Sequence, residues 1–329
     1  ANIVGSKNSA FGYRALFSNT TNNNSAFGYK ALYTNTTGFV NSAFGYKALF
    51  LNTTGTGNTA VGNSCLHNNT TGSYNVSVGN GTLYANTIGS KNSAFGYGVL
   101  QFNTTGVKNS GFGYYALRAN TTGNYNTAVG YESLTNNTIG VQNSAFGTYS
   151  MFANTIGNYN SAFGFHALRY NTTGASNSAF GYMSLRFNTI GANNTAVGYG
   201  ALYTNTTGNS NVAVGWNALS SNTIGYRNTA MGVSSLKNNT TGNLNSAFGY
   251  YAMNANTIGG ANCAFGLNSL SANTTGNNNS AFGLNSLVSN STGKQNCAFG
   301  RNALYSNTVA DSNNAFGYNA LYNNTAGAN

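Results

Sequence analysis

The residue types that ordinarily do chemistry are scarce and isolated in this chain. Glu132 and Asp311 are its two acids, which leaves no carboxylate pair for general acid–base work and no hard-cation site. His67 and His166 stand at positions that vary between repeats and read as exposed, and no metal-ligand spacing accompanies them. Cys65 stands where other repeats carry mostly Ala or Ser, and Cys263 and Cys297 where they carry mostly Ser or Thr; all three read as small-residue swaps. The Gly-rich turns lack the Lys-Ser/Thr of a phosphate loop. A calcium-binding repeat roll needs an Asp in each coil, and one Asp serves the whole chain. These residues predict no enzyme, no catalytic or metal site and no cofactor.

What is abundant is Asn, Thr, Gly and aromatic residues, and their spacing is periodic. The Gly of an Ala-(Phe/Val)-Gly triplet, with Ser77, Gly111 and Met231 as single departures from it, recurs nineteen times from Gly12 to Gly317, first after 16 residues and then always after 17. A short fixed period marks a solenoid whose neighbouring coils complete one another's core. The unit is N-(S/T)-A-(F/V)-G-Y-x-(A/S)-L-x-x-N-T-(T/I)-G-x-x, as in 24–40. The seventh and tenth columns drift freely (Lys30, Ser64, Glu132; His67, Arg118, Lys237), so columns that stay fixed beside them are held by packing or function. No composition break interrupts the array, which predicts one domain over 1–329. The sequence opens mid-unit and closes at a unit boundary, Asn329, as a window from a longer array would.

Composition agrees with this class. Of 329 residues 5% are charged, 40% are hydrophobic and none is Pro; a charge-rich disordered tail has the opposite balance. No apolar run is long enough to span a bilayer, and the first residues are no signal peptide, so no membrane insertion is expected. The net charge of +11 reads as scattered solubilising charge, allowing weak attraction to acidic cell-surface glycans but no specific nucleic-acid binding.

Gly and Asn turns separated by short segments predict an all-β parallel β-solenoid of about nineteen coils, each with two strands, around SAFGY and ALxxNTT. Phe or Val in the fourth column (Phe27, Phe44) and Leu in the ninth (Leu32, Leu49) are the expected core ladders. Alternation along a strand then turns the third and fifth columns outward. Both are nearly invariant small residues, so Ala26, Ala43, Ala162 and Gly164 are the expected face for a second chain. The alternative is that the fifth-column Gly (Gly28, Gly45) only permits a bend.

Asn fills the first column (Asn24, Asn41) and the twelfth (Asn35, Asn52) in all nineteen copies. Eleven twelfth-column copies form an N-glycosylation acceptor, among them Asn35, Asn52, Asn103, Asn120 and Asn171, but eight lack the hydroxyl and keep the Asn. Stacked amide ladders therefore fit better than a glycan column. The sixth-column Tyr row is either interface packing or a sugar-binding surface. Thr at the thirteenth position in eighteen copies leaves an ice-binding face as an alternative function, beside a glycan-coated filament.

The units NSAFGYKAL, NTAVGYESL and NTAVGYGAL followed by NTTG resemble repeats of phage and giant-virus tail-fibre proteins. More loosely they resemble the head repeats of trimeric autotransporter adhesins. The resemblance implies a left-handed β-roll, self-associated as a trimer or filament, in an extracellular or virion fibre. The 17-residue period and the NTTG corner depart from the adhesin head.

Overall fold

A computed structural model describes residues 5–325; the opening half-unit before Gly5 and the closing boundary at Asn329 lie outside them. The chain divides into two compact units, Ala1–Asn160 and Ser161–Asn329. Each is a β-solenoid without helix among its described residues. The first unit stacks strands β1 (Ser9–Phe11) to β9 (Ser144–Phe146), and the second stacks β10 (Ser161–Phe163) to β19 (Asn314–Phe316). Within each unit successive strands pair in parallel, each residue with its equivalent one coil on, as in Ser25↔Ser42, Ala26↔Ala43 and Phe27↔Phe44. The first step is one residue shorter, Ser9↔Ser25. That coil lacks the TG glycine, and the Thr21 carbonyl replaces the missing one, accepting from Asn19 Nδ2 at 2.8 Å and Asn8 Nδ2 at 2.7 Å.

Each coil has one short strand, not two. Gly28, at φ +134°, ends the strand in a conformation other residues avoid, and a Cβ there would lie 2.4 Å from the Gly45 carbonyl oxygen. The chain then turns through left-handed residues at the seventh and ninth columns, Lys30 at φ 54° and Leu32 at φ 49°. The ALxxNTT segment is therefore an arc. It still bonds from coil to coil, with Leu32 N donating to Ala48 O at 3.0 Å and Thr34 N to Phe50 O at 3.2 Å. These cross-coil bonds and the burial of Leu32 offset the roughly 1–2 kcal/mol that a left-handed non-Gly residue costs.

The expected core is half right, and its strand is inverted. Leu32 and Leu49 are fully buried. Ala26, Ala43 and Ala162 are equally buried, whereas Phe27 and Phe44 are 39% and 38% exposed. Alternation along the strand holds, but with the opposite phase. A 17-residue coil encloses a narrow interior, already occupied by the Leu, the eighth-column residue (Ala31, Ala48, Cys65) and two Asn. A Phe in every coil would overfill it, so Ala points in and Phe out. The proposed outward Ala face is thus the inner wall. Gly28, Gly45 and Gly164 are closely approached by the next coil of their own chain; a Cβ on Gly164 would meet Gly181 O at 2.5 Å.

Candidate interaction surface

Two Asn ladders form the polar seam inside each unit. In the twelfth column Asn52 Nδ2 donates to Asn35 Oδ1 at 2.8 Å and to the Gly55 carbonyl at 2.9 Å. In the first column the Asn41 backbone N donates to Asn24 Oδ1 at 3.0 Å, while Asn41 Nδ2 donates to the same Gly55 carbonyl at 2.9 Å. One carbonyl per coil thereby collects both amides, so the buried turn has no idle polar group. The glycan alternative fails at these positions. Asn35, Asn52, Asn103, Asn120 and Asn171 are fully buried, and each spends Nδ2, the atom a glycan would take, on its own coil's Gly carbonyl.

The outer surface carries three further ladders. Fourth-column rings stack in parallel, Phe27 on Phe44 at 5.0 Å and Phe265 on Phe282 at 4.9 Å. Sixth-column rings do the same, Tyr29 on Tyr46 at 5.3 Å and Tyr182 on Tyr199 at 5.1 Å. In the tenth column Phe17, Tyr33, Phe50, His67 and Tyr84 stack at 5.0 to 5.3 Å. Within these ladders the ring faces are spent on one another and the edges point outward. Sugar stacking on a Tyr face is therefore blocked along the row, whose rings pack on one another from coil to coil.

Between the sixth and tenth columns lies the variable seventh. In three successive coils it holds Arg14, Lys30 and Lys47, each beside a ring of both flanking ladders. Arg14 lies 5.3 Å from the centroids of Tyr13 and Phe17. Lys30 lies 5.3 Å from Tyr29 and 5.7 Å from Tyr33, and Lys47 likewise from Tyr46 and Phe50. Cations read along the chain as scattered are here adjacent. Reading down the seventh column of the repeat, rather than counting its residue types, would have found them.

The reactive side chains are embedded in packing. Cys65 is buried in the eighth column, and burial pushes its thiol up to about 12. Cys263 and Cys297 are free thiols, half-buried at strand starts. His166 is buried, contrary to its expected exposure: its ring lies 3.7 Å from Phe165, and burial, then Arg169 and Arg186, hold its pKa down to about 4. Among the described residues no three His, Cys, Asp or Glu side chains group as metal ligands, and no helix is long and apolar enough to cross a membrane. The thirteenth-column Thr hydroxyls are occupied, Thr53 Oγ1 donating to Thr70 O at 3.1 Å and Thr70 Oγ1 to Thr87 O at 3.1 Å. That leaves few free donors for an ice-ordering face.

No protein-family model matches the chain, and no curated protein sequence is significantly similar to it. The class that the fold defines is structural: a tandem-repeat parallel β-solenoid with internal Asn ladders and external aromatic ladders.

Proposed function

We propose that the protein is a non-catalytic, extracellular fibre or adhesin shaft in which identical chains associate side by side. The observation that carries this reading is the outward Phe/Val ladder. Phe27, Phe44, Phe112, Phe180, Phe265 and Phe299 each leave 37–39% of their surface exposed, in one column and in register. With up to about 40% of a ring side chain's ~200 Å² exposed in six or seven coils of a unit, and a smaller Val or Met in the other three, one unit presents on the order of 600 Å² of apolar edge. That is at the upper limit for monomers and approaches the ~800 Å² per partner of a stable interface. The partner chemistry that matches such a row is a second copy of the same row. The extracellular or virion setting rests on the repeat resemblance. Light scattering on the full chain tests the reading: masses at multiples of 34.2 kDa support it, and a monomer at all concentrations overturns it.

A further inference from the structure

The ladder of Arg14, Lys30 and Lys47 is distinct from the Phe/Val row and has its own chemistry. Its spacing is fixed by the backbone: Lys30 N donates to Tyr13 O and Lys47 N to Tyr29 O, both at 2.9 Å, so one cation emerges per coil. All three adopt the same left-handed conformation, φ 51–55°. Like charges this close repel, and the nearest acid along this column is Glu132, five coils beyond Lys47. The flanking rings crowd the cations from both sides without neutralising them. Lys30 and Lys47 are half-buried and Arg14 is exposed, and a row of regularly spaced, uncompensated cations suits a chain of anions at similar spacing.

We infer that Arg14, Lys30 and Lys47 form an anion rail for a linear acidic polysaccharide, with about one carboxylate or sulfate engaged per coil. The Tyr13–Tyr29–Tyr46 and Phe17–Tyr33–Phe50 ladders flank the rail on its two sides. A single-stranded nucleic acid fits less well, because its binding draws on base stacking against open ring faces, and these faces are closed by their neighbours. The rail is independent of side-by-side association, since it uses different columns.

The test is binding of the full chain to polygalacturonate, to dextran sulfate, to neutral dextran and to an oligothymidylate at low salt. One variant carries Arg14→Gln, Lys30→Gln and Lys47→Gln; a second carries Arg227→Gln, Lys237→Gln and Lys294→Gln. Both lower the net charge of +11 by three. The wild type is expected to bind at least one acidic polysaccharide, the uronate and sulfate arms identifying which anion. The rail variant is expected to lose roughly tenfold in affinity, the scale of three partly exposed ion pairs, and the second variant less than twofold. A salt series on the wild type needs no variant: three contacts give a slope of log affinity against log salt of about −2. Equal losses in the two variants, tighter binding of oligothymidylate, a slope near zero, or no binding of either acidic polysaccharide would each overturn the rail.

Discussion

Gly111 lies directly against Val99: a Cβ on Gly111 would come within 2.4 Å of Val99 Cγ1. Val99 fills an eighth-column position that is otherwise mostly Ala or Ser, and Gly111 is the one third-column residue smaller than Ala. The larger side chain in one coil is matched by the smaller in the next. The other exception in the third column is matched too. Ser77 Oγ donates to the Thr82 carbonyl at 2.9 Å and pairs with the Thr82 hydroxyl inside the core.

Gly111→Ala is therefore expected to destabilise the fold by about 1–3 kcal/mol through overpacking. Gly111 has no positive φ, so the backbone accepts Ala. Adding Val99→Ala should recover most of the loss. Thermal melts of both single variants and the double variant check this, and additive losses would contradict the contact.

The period and the two Asn columns were legible in the sequence because each is invariant against drifting neighbours; the invariant fifth-column Gly was visible too, but its turn was only the second reading, behind a face for another chain. The strand's phase was not. Hydrophobicity ranks Phe27 above Ala26 for burial, but the space inside a 17-residue coil decides otherwise. The compensating pairs Val99–Gly111 and Ser77–Thr82 carried that information in the third and eighth columns. The second strand was misread for a local reason: nothing about Leu32 as a residue type announces a left-handed φ, which cross-coil bonding imposes on it.

Asn120 sits mid-ladder, donating to Asn103 Oδ1 at 2.8 Å and to Gly123 O at 3.0 Å while accepting from Asn137 Nδ2 at 2.9 Å. Asn120→Ala strands buried partners on both sides and should cost about 1–3 kcal/mol. Asn136→Ala, in the variable eleventh column, should be near neutral. Comparable shifts in melting temperature would remove the ladder's special role.

Folded protein secreted from a glycosylating host should carry no glycan on Asn35, Asn52, Asn103, Asn120 or Asn171, whose amides are buried and engaged. Peptide mapping by mass spectrometry reads this site by site. Occupancy at any of them in folded material would contradict the geometry.

His166 supplies a pH dependence. Its pKa falls from 6.5 to about 4 in the folded chain, mainly through burial and further through Arg169 and Arg186. The unfolded chain then binds the extra proton first, so stability is full above about pH 6.5 and declines as pH falls toward 4. Wild type should lose about 1–3 kcal/mol more over that window than His166→Gln. Parallel acid dependences in melts of the two proteins would show that His166 is not the titrating group.

The central claim is that the outward Phe/Val ladder joins identical chains, and light scattering of wild type beside Phe265→Ser/Phe282→Ser/Phe299→Ser tests it most directly. The three rings stack in one outward row, Phe265 and Phe299 exposed and Phe282 half-buried, with none in the core, so the variant should fold with an unchanged circular dichroism spectrum. The expected result is a wild-type mass at a multiple of 34.2 kDa and a shift toward the monomer in the variant. A monomeric wild type, or an oligomer of equal mass in both, would contradict it.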